Sequence, residues 1–531
     1  KKVLGYFASL KELEEAPSLE MLGLEVGRIE KAMGSNAGRL WSGWLRLQPD
    51  RMSHDDRLML NRYAGTLKMV MENNGEGKLP PNVYKEYNSL FPKVSHMLSC
   101  WAVTSLSAKG RIPFEPGYFD LVVFDEASQC DIASALPLLY RAKQAVVIGD
   151  PKQLSHITGM VRGQDQQLLD KFGLTRDFPH WSFSFNSLFE LAAGMSSASA
   201  VINLRDHHRS HADIIGFSND EFYEGRLRVA TAYEGLKRPD PKSPGISWVP
   251  VSGKVTRPAT GGAENAAEAR EIARVLRDLV LVRGYEGSVG VVTPFRAQAN
   301  LIREVLNEDP ASYETLVRQG LLVDTVHKFQ GDERDLMVFS PVLSDGISKG
   351  ALGFLASNGN LFNVAITRAR GQLLVVGDLA ACAVSEVGYL ARFAQYVRDL
   401  QERERVEREH SSQELGPRYP AVSNPEQVSE WEVVLYEALY RRGVRPLPQY
   451  GVEKYRLDFA LFEGDRKLNI EVDGERYHRN WTGELCRRDQ LRNQRMYELG
   501  WDVMRFWVYE VRDDLERCVD RVNSWLKSES Q

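Results

Sequence analysis

Asp125 and Glu126 follow the apolar run Val122-Val123-Phe124. An acidic pair at the C-terminal end of a buried strand sits where ligands bind in open α/β sheets. It can hold Mg²⁺ through Asp125 and polarise an attacking water through Glu126. Further on, a second apolar run ends in Gly149-Asp150-Pro151-Lys152-Gln153-Leu154, a turn that suits Gln153 to sensing a terminal phosphate. A separate set of carboxylates falls on two alternating runs, Tyr455 to Phe462 and Lys467 to Gly474. Gly464-Asp465 between them suits a two-residue type II′ turn. A hairpin centred there sets Asp458 opposite Glu471, with Asp473 two residues on along the same face. Facing carboxylates repel, and a Mg²⁺ held by Asp458 and Glu471 removes the conflict. A register slip of one residue would send Asp458 to the other face.

The elements that must position these groups change character along the chain. Residues 1 to about 95 read as helical, most clearly Ser53 to Asn74, where Ser53 and Asp56 resemble a capping box and Leu60, Tyr63, Ala64, Leu67, Val70 and Met71 recur at helical spacing. From about 98 to 400, short buried β runs alternate with helical stretches: Leu121–Phe124, Ala145–Ile148, Val289–Thr293, Met337–Pro341 and Leu373–Val376. That is the pattern of doubly wound α/β layers. The charge-dense Gln401–His410 runs into Gly416, Pro417, Pro420 and Pro425, a Pro-punctuated linker. Beyond it the order is helix (Glu430–Arg442), hairpin strands, basic helix (Glu484–Leu499) and strand (Val503–Tyr509). Arg488, Arg492 and Arg495 share one face of that basic helix, suited to phosphate contacts; a solvated face paired with Asp489 and Glu498 is the alternative. Trp501 and Trp507 read as core residues, and Trp481 as a residue able to stack on a base.

Composition sets outer limits. The chain has 531 residues, 43% apolar and 26% charged, which describes a multi-domain globular protein and excludes disordered or collagen-like classes. Its apolar runs fall far short of the roughly 20 residues of a membrane helix, so no membrane partner and a cytoplasmic setting are expected. Five scattered cysteines suit a reducing compartment. With 67 basic and 72 acidic residues, net charge −5, any nucleic-acid binding must come from local basic surfaces.

From Asp125 onward the chain resembles superfamily 1 helicases, nearest the subgroup of the nonsense-mediated-decay helicase and the replication helicase-nuclease. Asp125-Glu126 is similar to motif II and Gly149–Leu154 to motif III. Leu204 to His211, Val292 to Gln298, Val323 to Glu333 and Asn363 to Arg370 resemble the later motifs in order. The resemblance implies two RecA-like domains, ATP and Mg²⁺ as cofactors, and Arg209 and Arg368 neutralising the transferring phosphoryl group. It further implies that Gly149, Asp150, Gln330, Gly331 and Glu333 contribute to the nucleotide site, Glu333 at the ribose, and that Thr104 and Thr325 meet the nucleic-acid backbone. The implied segments are a helical insertion over 1–95, the C-terminal part of the first RecA-like domain over 96–195, the second over 196–400, and a linker over 401–425. His207, His208 and His211 read as structural hydrogen-bonders.

The phosphate-cradling G-x-x-x-x-G-K-[ST] occurs nowhere in the chain. Together with a start at Lys1-Lys2-Val3, this leads to the expectation that an upstream segment or a partner protein supplies the loop; a degenerate ATPase is the alternative.

Residues 426–531 resemble the PD-(D/E)XK nuclease fold, nearest its very-short-patch-repair-like branch, through Asp458, Glu471-Val472-Asp473-Gly474, His478, Arg488-Asp489 and Arg492, with Glu432 on the preceding helix. Asp473 stands at the position of the usual lysine, so His478 becomes the candidate general base or acid. The whole then reads as an ATP-driven helicase or translocase fused to a metal-dependent endonuclease, with DNA favoured over RNA and a role in prokaryotic defence or repair. The alternatives are an ATP-gated nuclease clamp that does not unwind, and a nucleic-acid-binding scaffold with silent centres.

Overall fold

The computed structural model describes residues 6, 19–47, 52–72, 81–95, 97–98, 100–108, 112–157, 159–160, 162–240, 243–329, 331–411, 415–422, 425–453, 455–464, 466–474 and 487–527. The chain divides into two compact units, residues 46–397 and residues 1–45 with 398–531.

In the first unit, Ser53 and Asp56 form the expected reciprocal cap: Asp56 N–H donates to Ser53 Oγ (3.1 Å) and Ser53 N–H to Asp56 Oδ2 (3.2 Å). Helices His54–Glu72 and Pro81–Ser95 then pack through Tyr63, Tyr87 and Phe91. Strands β1 (Phe119–Phe124) and β2 (Ala142–Val147) pair in parallel, and the short β3 (Asp206–His207) and β4 (Arg228–Val229) do the same. The main sheet contains β5 (Ile246–Pro250), β8 (Val289–Thr293), β9 (Leu322–Thr325), β10 (Arg334–Phe339) and β11 (Ala369–Gly377). It is wholly parallel, in the order β5-β11-β10-β8-β9. The two-residue β6 (Val255–Thr256) and β7 (Glu264–Asn265) form a separate antiparallel pair. Every residue of β8 is buried, because helices cover both faces of the sheet and no solvent face calls for alternation. Helices Ala266–Leu276 and Arg296–Asn307 close one face through Ile272, Leu276, Ile302 and Leu306 against Val291, Val338 and Val376. Phe217, Trp248, Phe339, Phe362 and Phe393 form an aromatic cluster elsewhere in this unit.

The apolar runs of β1 and β2 are not buried as expected. Leu121, Val123, Val146 and Ile148 are 49%, 52%, 44% and 45% exposed, since nothing among the described residues covers these positions. Parallel strands ordinarily lie buried on both faces, so this pair has the surface of an incomplete sheet.

Beside β10 a carboxyl is fully enclosed. Glu268 accepts hydrogen bonds from Ser340 Oγ (2.5 Å), Val342 N (3.1 Å) and Asn265 Nδ2 (3.2 Å). Burial pushes its pKa up to about 8. The bond to Val342 holds that β-branched residue at φ 55°, a left-handed conformation that costs free energy unless its surroundings enforce it. Glu268→Ala is therefore expected to destabilise the protein by about 2–4 kcal/mol, measurable by denaturant unfolding.

In the second unit, β12 (Leu447–Val452), β13 (Tyr455–Glu463), β14 (Arg466–Asp473) and β15 (Trp501–Trp507) form one sheet in chain order, antiparallel except for the parallel β14–β15 pair. The β13–β14 register runs from Glu463↔Arg466 to Phe459↔Ile470, as a two-residue loop requires. Gly464, at φ 59°, supplies the positive φ of that turn. Continued outward, the register brings Asp458 to Glu471. Helices Glu430–Arg441, Val508–Asp513 and Leu515–Lys527 pack through Leu435, Leu439, Val511, Val519 and Val522 onto Phe459, Ile470 and Phe506. Helix Arg487–Glu498 sends Met496 into a second cluster with Leu457, Ala460 and Trp501, which places Trp501 in the core.

Candidate functional site

In the first unit, β1 ends at the acidic pair. Asp125 is exposed, and its Oδ1 accepts from Glu126 N–H (3.0 Å). Glu126 is held at φ 53°, with its Oε2 bonded to Gln129 Nε2 (3.2 Å). A non-glycine residue in that conformation is costly and clusters at functional sites. Gly149 leaves no room for a side chain: a Cβ there would lie 2.8 Å from Phe189 Cδ2 and 3.0 Å from Ser128 N. Asp150 Oδ2 accepts from Gln153 Nε2 (2.9 Å) and Tyr223 Oη (2.7 Å), and Gln153 Oε1 accepts from Arg368 (3.2 Å).

Arg368 is 5% exposed. Burial and the adjacent Arg209 guanidinium lower its pKa, against the pull of Glu126 and Glu333. Arg209 pairs with Glu333 at 3.1 Å, and Arg370 lies 3.5 Å from the same carboxylate. The fold thus brings Glu126, Gln153, Arg209, Arg368 and Glu333 together, two acidic groups beside a concentration of guanidinium charge. Such a set can polarise a water and take up charge on a phosphoryl group. Gly331 stands before Glu333 at φ 71°. Gln330 lies outside the described residues.

Sequence reasoning missed Tyr223 in this assembly, and placed Asn363 in a motif without a role. Asn363 is fully buried, and its Nδ2 donates to Lys152 O (2.9 Å) and Tyr223 Oη (3.1 Å), while Asn360 Nδ2 donates to Pro151 O (3.2 Å). The helix Gly359–Thr367 that leads into Arg368 is thereby stitched to the turn that carries Gln153. Neither role has a chemical signature in sequence, since Tyr223 acts by reaching the distant Asp150 carboxylate and Asn363 by reaching the distant Lys152 carbonyl.

An open cleft of 520 Å³ is lined by Gln129, Ser155, His156, Ile157, Arg296, Thr325, His327 and Lys328. Thr325, at the end of β9, faces it with two cations nearby, a lining suited to an anionic backbone. Thr104 is not among the lining residues; it lies exposed on a turn, its Oγ1 accepting from Ser107 N–H (3.3 Å).

His207 and His211 accept backbone hydrogen bonds, from Ser210 N (2.9 Å) and Asp213 N (3.2 Å), and His208 meets Ala230 O (3.2 Å). Burial pulls the pKa of both His207 and His211 down to about 4. The unfolded value is about 6.5, so folding excludes a proton from each. Their contribution to stability is present above about pH 6.5 and is lost as pH falls through about 4. Melting curves across this range are expected to show that loss, and His207→Asn with His211→Gln should flatten it.

In the second unit, Glu432 caps its own helix: its Oε1 accepts from Ser429 N (2.8 Å) and Oγ (2.9 Å), and its Oε2 from Gln449 Nε2 (3.1 Å). Gln449 itself sits at φ 50°. Asp458 Oδ2 accepts from Val472 N–H (2.7 Å). Burial, then the carboxylates of Glu471 and Glu432, raise the Asp458 carboxyl well above its usual range. Glu471 and Glu432 are also raised, mainly by burial, and Arg492 and Arg505 oppose the rise at Glu471. Glu471 is 2% exposed; Arg492 pairs with its Oε2 at 2.9 Å, while its Oε1 has no hydrogen-bond partner of good geometry.

Several expectations are corrected here. Asp473 is turned to Arg505, a residue the sequence did not single out, so it is not a third carboxylate on a shared ion. Among the described residues, no three His, Cys, Asp or Glu side chains are grouped to ligate a metal. Arg492 and Arg495 do not offer a solvent-facing phosphate surface. Arg492 is bound to Glu471, and Arg495 to Glu453 at 3.1 and 2.6 Å. Helical spacing did put them on one face, but that face packs inward, where Glu471 on β14 and Glu453 in the turn after β12 neutralise them. Arg488 lies on the same helix, and His478 and Trp481 lie outside the described residues. The remaining donors, Asp458 and Glu471, fit a divalent cation: hard oxygens that repel each other, one with an unsatisfied buried atom.

Comparison with known proteins follows this division. The AAA domain family matches residues 102–158 and 185–380, and REase_MTES_1575 matches 431–526. Relatives that match this chain are helicases. Helicase sen1 of Schizosaccharomyces pombe is 27% identical over 304 residues, 56% of this chain and 16% of that protein. Helicase SEN1 of Saccharomyces cerevisiae is 27% identical over 282 residues, 51% and 12%. An uncharacterized ATP-dependent helicase of Mycoplasma genitalium is 29% identical over 286 residues, 51% and 24%. The chain thus spans less than a quarter of the length of these relatives. The helicase nonstructural protein 10 of an arterivirus covers 51% of this chain and 40% of its own at 12% identity and TM-score 0.24, a likeness too loose to bear on function. Among the described residues no helix is long and apolar enough to cross a membrane.

Proposed function

We propose that this chain belongs to an ATP-dependent helicase or translocase that moves nucleic acid, with DNA favoured over RNA, toward a metal-dependent endonuclease in its C-terminal domain, in a cytoplasmic setting of prokaryotic defence or repair. The observation that carries the reading is the convergence of Glu126, Gln153, Arg209, Arg368 and Glu333 in one unit from five separate stretches of sequence. Glu126 orients the attacking water, Asp125 holds Mg²⁺, and Gln153 with the two arginines meets the terminal phosphate. Gly149 and Asp150 shape the loop, Gly331 and Glu333 face the nucleoside, and Thr104 and Thr325 follow the nucleic-acid backbone. The phosphate-cradling loop comes from an upstream segment or a partner protein, a reading supported by the uncovered apolar faces of β1 and β2.

In the nuclease domain, Asp458 and Glu471 would hold the Mg²⁺. When bound, the ion supplies Lewis-acid activation of a phosphodiester and its attacking water. Glu432 and Gln449 position the carboxylate pair, Asp473 orients Arg505, His478 is the proposed proton carrier, and Arg488 is a phosphate contact.

ATP hydrolysis with and without nucleic acid, measured after adding a segment that carries a phosphate loop, tests the motor. Stimulation by nucleic acid that disappears in Glu126→Gln is expected. Hydrolysis indifferent to every nucleic acid would refute the reading.

A further inference from the structure

The structure places a fixed positive charge where the nuclease reading needs a movable one. Arg492 is largely buried, and its guanidinium lies 2.9 Å from Oε2 of Glu471, the carboxylate best placed to ligate a divalent ion. The opposite oxygen, Oε1, is buried near the Asn469 amide with no hydrogen bond of ordinary geometry, a position from which it can take a ligand. No cation can use both oxygens while the guanidinium holds one, because two positive charges would then share a single enclosed carboxylate. The second arginine of the site, Arg505, acts on Glu471 through space from the neighbouring strand, but its direct ion pair is with Asp473. Arg492 comes from helix Arg487–Glu498, whereas Glu471 lies on β14, so the pair joins two separate elements.

We infer that Arg492 is a gate on the nuclease metal site: it neutralises Glu471 until a divalent cation displaces it, and the displaced guanidinium then turns to the phosphate of the bound nucleic acid. This rests on the nuclease reading. It makes Arg492 a positioning residue with two alternating partners, a carboxylate and a phosphate. It also gives the site a reason to keep a buried arginine beside its ligands: the guanidinium offsets the charge of Glu471 until a cation does so, and the cation is bound firmly only when substrate is there to receive the arginine. Planar guanidinium recognises carboxylate and phosphate with the same paired donors, so the exchange needs no second type of group.

The test titrates the full chain with Mn²⁺ alone, following the free aqua ion by electron paramagnetic resonance, for the unaltered protein, Arg492→Gln, Arg492→Lys and Glu471→Gln. Glu471→Gln identifies the nuclease site as the binding it removes, apart from any Mn²⁺ held at Asp125. Arg492→Gln is expected to bind Mn²⁺ about tenfold or more tightly at that site, and Arg492→Lys, which keeps the charge, by a smaller factor. Melting curves check folding: Mn²⁺ should raise the Tm of Arg492→Gln more than that of the unaltered protein. Glu471-dependent binding that is unchanged or weaker in a folded Arg492→Gln would overturn the gate and leave the nuclease reading standing. If no variant shows Glu471-dependent Mn²⁺ binding, the nuclease reading falls and the gate with it.

Discussion

Arg368→Ala is expected to lower nucleic-acid-stimulated ATP hydrolysis by about 10³ to 10⁵-fold in a form that includes the phosphate loop, the span assigned to arginines that neutralise a transferring phosphoryl group. The expectation follows from where the side chain lies. Arg368 is buried beside Arg209, bonded to Gln153, and within the electrostatic reach of Glu126 and Glu333. Two guanidinium groups held together repel, and an arriving phosphate relieves that repulsion. The gain is greatest when charge on the phosphoryl oxygens is greatest, so kcat should fall far more than nucleotide affinity. Arg368→Lys is not expected to rescue, because a point charge cannot reproduce the planar fork that reaches both Gln153 and a phosphate. A structural role alone would lower Tm and leave the kcat of the folded fraction intact, so kcat per folded molecule is the deciding measurement.

Asp458→Asn and Glu471→Gln are each expected to reduce Mg²⁺-dependent phosphodiester cleavage by about 10³-fold, the equivalent of several kcal/mol of lost Lewis-acid stabilisation. Stability should move the other way for Asp458→Asn. Burial and two neighbouring carboxylates raise the Asp458 carboxyl. A raised carboxyl contributes stability in its protonated form, present below its unfolded value of about 3.9 and lost as pH rises through the folded one. At neutral pH the ionised group is therefore a strain on the fold, and asparagine removes the charge while keeping the shape. A folded protein with a higher Tm and no cleavage is the signature of a residue kept for chemistry at a cost in stability. Equal loss of Tm and activity would instead mark Asp458 as a packing residue.

How much of this could be read in advance varies from residue to residue. The register that brings Asp458 to Glu471 was legible because a two-residue turn at Gly464 fixes every pair outward from it. The ion pairs of Arg492 and Arg505 were not. Helical spacing told that Arg488, Arg492 and Arg495 share a face, but whether that face meets solvent or sheet depends on a packing partner far along the chain. Arg505 reaches the site through the parallel pairing of β14 with β15, in which Glu471 stands beside Arg505, and no local signal sets that register. The helicase-like motifs were legible as an ordered series, whereas the links that bind the series together, from Tyr223 outside it and Asn363 within it, come from ordinary side chains whose role exists only after folding. The apolar runs of β1 and β2 announced strands correctly and misled about burial, since hydrophobicity records what a strand needs to face and not which elements come to lie against it.

The most direct test of the central claim is cleavage of single- and double-stranded DNA and RNA by this chain, with Mg²⁺ or with chelator, with and without ATP, alongside Asp458→Asn and Glu471→Gln. Mg²⁺-dependent cutting is expected, stronger on DNA than on RNA, and both substitutions should abolish it. Cutting that persists in the two variants, or no cutting of any substrate by the folded protein once the phosphate loop is supplied, would contradict the claim.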